Sequence, residues 1–429
     1  MNHEQVFEAL ESNVRSYCRE TPNLFSRAKG ASVWDNEGKE FIDFLSGCGS
    51  LNYGHNHPVL KGALIDYLAN DGIGNALDFH TEAKLKFMSR FEEVLLGPRH
   101  LPHRMQFTGP TGANCVEAAL KLARKFTGRF AVASFTNAFH GMSTGALSVT
   151  GSRLARESMA PLLQGITRLP YDGYCGAGLE VLDRFYEMAM DPSGGIDPLA
   201  AIIVETVQGE GGLNVASVGW LRKLREISSS LGALLIFDDI QAGCGRTGNF
   251  FSFDHSGVVP DLICLSKSLS GYGLPMSMLL ISPEFDVWRP AEHNGTFRGN
   301  SFAFVTAEAT LQFWEDKSFV DSIAVRSKLL DTWTRDVLLN YPGIAVRRKG
   351  VGMMAGVEFR TAAHAQGVAS LARQSGILIE RCGPRGEILK VFAPINIDCA
   401  LFDEGLRRLT AAIEKPAEMG SPGQRPVAA

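Results

Sequence analysis

A chain of 429 residues, 45% hydrophobic and with a mean hydropathy of +0.00, is long enough for two domains and apolar enough for a buried sheet. Its 42 basic and 46 acidic residues leave a net charge of −4 with no long block of either sign, which argues against nucleic-acid binding. No apolar run reaches membrane-spanning length, the opening MNHEQVFEALESN is too acidic and polar for a secretory signal, and the eight cysteines form no CxxC pair, so a cytoplasmic protein with reduced thiols and no metal is expected.

In chain order, GASVWDNEGKEFIDFL (30–45) alternates around a DNEG turn and predicts a hairpin. From about 60 to 320, apolar runs alternate with helical patterns: RMQFTG, FAVASF, GITRLPY, AAIIVET, ALLIFDD, LICLS and SMLLIS. Such runs predict a largely parallel sheet with helices on both faces. From about 320 onward, AVRRKGVGMMAGVEF, GILIE and EILKVFAP predict strands of a small α+β domain, and the closing GSPGQRPVAA has no apolar pattern and is expected to be disordered.

Four stretches carry chemistry. FTGPTGANCVEAALKLARKF (107–126) reads as strand, Gly/Pro turn and helix, with Thr111 as the cap and Gly112 allowing close backbone approach. Apolar residues at 116, 119, 120, 123 and 126 share a face, and Glu117–Lys121 has i,i+4 spacing. The helix N-terminus suits a phosphate. FTNAFHGMSTGALS puts Phe139 and His140 in a glycine-bounded turn, where an aromatic ring can stack on a flat cofactor. VETVQGEGG ends an apolar strand with Glu205, Gln208 and Glu210, polar groups at the strand's mouth. LLIFDD ends in Asp238 and Asp239, and 29 residues after Asp238 comes Lys267, between Ser266 and Ser268 at the end of a second apolar run. A carboxylate and a lysine at the ends of two strands are the parts pyridoxal phosphate needs: an amine for its aldehyde and an acid for its ring nitrogen. Singly, each motif has a plainer explanation, such as a capped helix, a core aromatic or a solvated turn acid.

Together, TGANCVEAALKLAR, FHG, ETVQGEGG, DDIQAGCGRTG, SKS and GTFRGN resemble, in that order, the class III, fold-type-I pyridoxal-phosphate aminotransferases. The resemblance covers nearly the whole chain. It implies an α/β fold with a mostly parallel seven-stranded sheet in a large cofactor-binding domain (60–320). Residues 1–59 and 321–415 would form the smaller α+β domain, leaving 416–429 as a tail. Within the family, ESNVRSYCRETP, LNYGHNHP, ETVQGEGGLNVAS, LSKSLSGYGLPM and AEHNGTFRGN are closely similar to the ectoine-type diaminobutyrate–2-oxoglutarate aminotransferases. Those enzymes make 2,4-diaminobutyrate from aspartate 4-semialdehyde with glutamate as amino donor.

The resemblance also implies roles. Lys267 would bond the cofactor aldehyde and carry the proton, with Asp238 on the ring nitrogen, Gln241 near the phenolic oxygen, Ile240 beneath the ring and Phe139 above it. Thr111, Gly112 and Ala113 would hold the phosphate, helped by Thr296 from a neighbouring subunit, which makes a homodimer the smallest complete unit. His140 and Glu205 would lie near the cofactor, and Glu210 would gate the side that handles the α-amino donor.

Three positions depart from the common family pattern: Asp239 replaces a glutamate, Met142 an arginine that reads a distal carboxylate, and Lys390 an arginine that binds the donor carboxylate. Lysine is a point charge and not a planar fork, so carboxylate recognition must be arranged differently. Arg15 and Arg298 are spare cations for that task. The last two departures weigh against the ornithine, acetylornithine and 4-aminobutyrate types, which stand as alternatives beside a class III decarboxylase or aminomutase. A nucleotide-binding module is disfavoured by the lack of Walker A and GxGxxG patterns, and a non-catalytic scaffold by the presence of both Lys267 and Asp238.

Overall fold

The computed structural model describes residues 3–420, with side chains up to Ala417. All seven apolar runs are strands of one sheet: β1 (Arg104–Gly109), β2 (Ala131–Phe135), β3 (Ile166–Leu169), β4 (Leu199–Val204), β5 (Leu234–Asp238), β6 (Leu262–Leu265) and β7 (Ser277–Ile281). Their spatial order is β1-β7-β6-β5-β4-β2-β3. Pairing is parallel from β6 through β5, β4 and β2 to β3, whereas β7 runs antiparallel to both β6 and β1. The sheet is therefore mixed with a parallel centre, as the short β-rich runs predict.

Strand periodicity divides the large core in two. Ile202, Val204, Leu235, Phe237, Ile263 and Leu265 face a cluster with Phe87, Phe91, Trp220, Leu224 and Phe304. Their sequence neighbours Ala201, Ile203, Leu234, Ile236, Leu262 and Cys264 face Val116, Ala119, Leu120 and Ala123 of the helix Gly112–Thr127. Successive side chains point to opposite sides, so a sheet covered by helices on both faces requires the continuous apolar runs seen here. Phe126, expected on the same helix stripe, is 41% exposed because it lies at the helix end.

The smaller domain is built from both ends of the chain. The predicted hairpin is present as Ser32–Asp35 against Glu40–Asp43, and Ile377–Leu378 adds in parallel beside the second of these. A separate antiparallel sheet holds Ala345–Val351, Met354–Phe359, Ile388–Val391 and Glu380–Cys382. Ile42 and Phe44 share one buried cluster with Val357, Leu389, Phe402 and Leu409. The last helix runs Cys399–Gly420, five residues into the stretch expected as a tail, and 421–429 lie outside the described residues. All eight cysteines are unbridged. Among the described residues no helix is long and apolar enough to cross a membrane, and no cluster of three or more metal-ligating side chains occurs.

Candidate active site

Parallel pairing sets β5 and β6 side by side in the register Asp238 to Cys264, so Asp238 and Lys267 emerge at adjoining carboxyl ends. This edge of a parallel sheet is where ligands bind in such folds. Between them lies a cavity of about 160 Å³ lined by Gly112, Ala113, Phe139, His140, Gly141, Glu205, Val207, Glu210, Asp238, Ile240, Gln241, Ala242 and Lys267. Most of the cofactor residues expected from sequence are thus in one place.

Lys267 sits at a forced position. Its φ is 51°, a left-handed conformation that a lysine rarely adopts, and strain of this kind concentrates at functional sites. The flanking serines hold it there: Ser266 Oγ donates to Met276 O at 2.8 Å and Ser268 Oγ to Gly49 O at 2.8 Å. Burial lowers the Lys267 amine below the usual lysine range, which raises the neutral, nucleophilic fraction.

Asp238 is buried with both oxygens engaged. Oδ1 accepts from Ile240 N at 3.1 Å, and Oδ2 lies 2.7 Å from His140 Nδ1. Burial alone would depress the imidazole, but the Asp238 carboxylate outweighs it and the His140 pKa is raised. Glu205 accepts from Phe139 N at 3.1 Å, and burial pushes its carboxyl up to about 8. Asp239 points away: Ser252 N donates to its Oδ2 at 3.1 Å and Ser252 Oγ to its Oδ1, so the shorter acid leaves the cavity unaffected.

The anion end is a capped helix. Thr111 Oγ1 accepts from Asn114 N at 3.4 Å and Asn114 Oδ1 returns a bond from Thr111 N at 3.2 Å, a reciprocal capping box. The first N–H groups, at Gly112 and Ala113, have no intrahelical partner and line the cavity. A Cβ on Gly112 would meet Ile240 Cδ1 at 2.9 Å, so the glycine lets the helix tip and Ile240 converge. Glu117 does not pair with Lys121. It accepts from Ser143 Oγ (2.6 Å), Gly145 N (2.8 Å) and Ala146 N (3.0 Å), fixing the loop that carries Phe139 and His140, while Lys121 Nζ donates to Glu292 O at 2.6 Å.

Also lining the cavity, Glu210 accepts at Oε1 from Gln241 Nε2 at 3.0 Å and from Lys390 Nζ at 2.9 Å. Burial would raise the Glu210 carboxyl, but Lys390 and Lys267 hold it down at about 2. Lys390 is fully buried and also lies 2.6 Å from Glu380 Oε1, a residue not singled out in the sequence. Burial opposes its charge, yet the two acids raise Lys390 well above the usual lysine value.

Thr111 and the buried Lys390 do not line the cavity themselves but adjoin Gly112 and Glu210, which do, and three further expected residues lie away from it in this single chain. Arg298 pairs with Asp78 and lines a separate cavity of about 560 Å³ with Trp288 and Arg289. Arg15 borders the N-terminal helix, 4.0 Å from Glu11. Thr296 is exposed beside Phe297. Gln208 belongs to the scaffold, donating to Thr136 O at 2.7 Å.

A lysine and a buried, hydrogen-bonded carboxylate at neighbouring strand ends, a helix tip and an aromatic ring over one cavity define a fold-type-I pyridoxal-phosphate transferase. The "Aminotransferase class-III" family matches residues 16–413, and the chain belongs to that family; pyridoxal 5′-phosphate is its cofactor. Among curated proteins, the chain is 50% identical over 402 residues to a diaminobutyrate–2-oxoglutarate transaminase of Vibrio cholerae (94% of this chain, 97% of that one). It is 48% identical over 410 residues to one of Halalkalibacterium halodurans (96% and 95%). Among solved structures, an ornithine aminotransferase of Toxoplasma gondii superposes with a TM-score of 0.84 at 27% identity, covering 97% of this chain and 95% of that one.

The residues fit the cofactor. Cationic, carboxylate, aromatic and backbone N–H groups surround one space, and Gln241 Oε1 is buried there with no hydrogen-bond partner among the described residues. When bound, the cofactor supplies an electron sink for the carbon that loses its proton.

Proposed function

We propose that the protein transfers the amino group of glutamate to aspartate 4-semialdehyde, giving 2,4-diaminobutyrate and 2-oxoglutarate reversibly. The observation that carries this reading is Lys390, a lysine at the donor-carboxylate position, held by Glu210 at the edge of the Lys267 cavity. The curated relatives, about half identical over nearly the full length, bear the matching name.

The proposed roles are supported by which residues line the cavity. Asp238, backed by His140, keeps a proton at the cofactor's ring nitrogen. Phe139 and Ile240 hold the ring flat, and the N–H groups of Gly112 and Ala113 with the Thr111 hydroxyl hold its phosphate. Lys267 Nζ takes the proton from the substrate carbon and returns it on the other side of the exchange. Its depressed pKa suits a base. Glu210 and Lys390 separate the substrates: paired, they receive a substrate reacting through its terminal amine, and parted, they free Lys390 for the carboxylate beside a reacting α-amine.

The working unit is a homodimer. Thr296 is exposed in one chain, and Phe79 and Phe297, each 68% exposed, mark an apolar surface for a second copy that would bring Thr296 to its phosphate. A panel of purified protein with diaminobutyrate, ornithine, acetylornithine and 4-aminobutyrate, each with 2-oxoglutarate, tests the reading. Diaminobutyrate is expected to lead in kcat/KM by at least about tenfold, and an ornithine preference refutes it.

A further inference from the structure

Beside the Lys267 cavity one cation stands between two carboxylates. Glu380 faces Lys390 directly across the antiparallel pair Glu380–Cys382 and Ile388–Val391, so strand register fixes both side chains on one face. Lys390 Nζ is 2.6 Å from Glu380 Oε1 and 2.9 Å from Glu210 Oε1. Glu380 is 8% exposed and Lys390 fully buried. Glu210 differs. Its side chain is 32% exposed, Oε1 holds both hydrogen bonds, and among the described residues Oε2 has no hydrogen-bond partner. Within the Glu210–Lys390–Glu380 trio, two carboxylates share one ammonium, and the uncommitted acceptor belongs to the residue that lines the cavity beside Lys267.

We propose, resting on the substrate reading above, that Glu380 takes up the charge of Lys390 and thereby leaves Glu210 to accept the free α-ammonium of the substrate whose terminal amine reacts. That substrate keeps an ammonium and a carboxylate on a carbon two bonds from the reacting one. A Glu210–Lys390 pair alone would be neutral and would offer this ammonium nothing. The second acid turns the same pair into a cation site, at the cost of burying one more charge, which only a hydrogen-bonded or paired setting tolerates. Glu380 does not line the Lys267 cavity, so it is a positioning residue acting through Lys390.

2,4-Diaminobutyrate and 4-aminobutyrate isolate this effect, because they share chain length, terminal amine and carboxylate and differ in the α-ammonium. Wild-type protein prefers the diamine. In Glu380→Gln the ratio of kcat/KM for the two amines falls about tenfold, the span of one lost charge contact, through KM for diaminobutyrate, with 4-aminobutyrate unchanged. Glu380→Asp, which keeps the charge, retains most of the ratio. Calorimetric binding of both amines to cofactor-loaded Lys267→Ala protein, which cannot turn over, shows the same selective weakening when Glu380→Gln is added. Glu210→Gln is a second arm that leaves Glu380 in place and must lower the ratio at least as far. A ratio unchanged in either glutamine variant, or equal losses on both amines, overturns the inference while leaving the diaminobutyrate reading intact. A wild type without the preference sinks both.

Discussion

His140 Nδ1 and Asp238 Oδ2 lie 2.7 Å apart with both side chains buried, so the acid proposed to face the cofactor ring is itself held by an imidazole. With Ile240 N on the other oxygen, the carboxylate is fixed from both sides before any ligand arrives. Preorganised charge of this kind does not have to reorient during the reaction. Replacing His140 by Leu leaves Asp238 without its countercharge. Cofactor retention in dialysis is expected to weaken by roughly 1.5–3 kcal/mol, the range for hydrogen bonds to charged groups. Wild-type retention in that variant would show that Asp238 needs no support.

Lys267→Ala removes the amine proposed to bond the cofactor and move the proton. Borohydride fixes cofactor onto the wild-type chain, and peptide mapping places it on Lys267. In the variant the helix tip still holds cofactor non-covalently, while transamination falls by at least about a thousandfold. A reduced adduct on another lysine refutes the assignment.

The pH dependence of stability has a definite sign. Burial lifts Glu205 from 4.5 to about 8 in the folded protein, so the folded state keeps a proton that the unfolded chain has released between those values. Stability therefore falls as pH rises through this window. His140, raised against its own burial by Asp238, acts in the same direction. Its contribution is whole below the unfolded value of 6.5 and is lost as pH climbs through the folded one. Calorimetry of cofactor-free protein is expected to show a Tm that declines from pH about 5 to about 8, and a shallower decline in Glu205→Gln. A rising Tm over that range contradicts the assignment.

Lys390→Ala leaves Glu210 and Glu380 facing each other with no cation between them. Losing one partner of a buried charge pair costs about 3 kcal/mol or more, read as a shift of the denaturation midpoint at neutral pH. The loss shrinks in acid, where the carboxyls take up protons. Equal losses at neutral and acid pH would mean that the lysine matters only as packing.

Subunit sharing is tested by mixing Lys267→Ala with Thr296→Ala protein under conditions of proven exchange. If Thr296 serves its neighbour, each mixed dimer has one intact site, and activity recovers toward about a quarter of wild-type sites. No recovery places Thr296 in its own subunit's site or in none.

The sheet was legible because β2 and β4 to β7 are buried on both faces and so read as unbroken apolar runs. β1, at the sheet edge, still shows as RMQFTG before its glycine turn. Asp238, Lys267 and the Thr111 cap were legible because each lies within a few residues of the strand or turn that places it. Glu117 was misread: i,i+4 spacing with Lys121 says nothing of three donors arriving from residues 143–146. Glu380 was missed because its role depends on a cross-strand register with Lys390. An acid closing the apolar stretch GILIE was the available signal. Arg15 and Arg298 were chosen by residue type alone, and the fold gives each an acidic neighbour of its own, Glu11 and Asp78.

The parallel pairing of Ile377–Leu378 with Ile42–Asp43 has a temporal consequence. Every strand of the large sheet has been synthesised by residue 281, Asp238 and Lys267 included. The hairpin at 32–43, made first, must wait more than 300 residues of synthesis for its parallel neighbour. Domains form as units while the chain emerges, so the nascent protein holds Lys267 and Asp238 before Glu380 and Lys390 exist. Glu210, Asp238 and Lys267 are thus all in place before the Glu380–Lys390 pair proposed to tune the first of them.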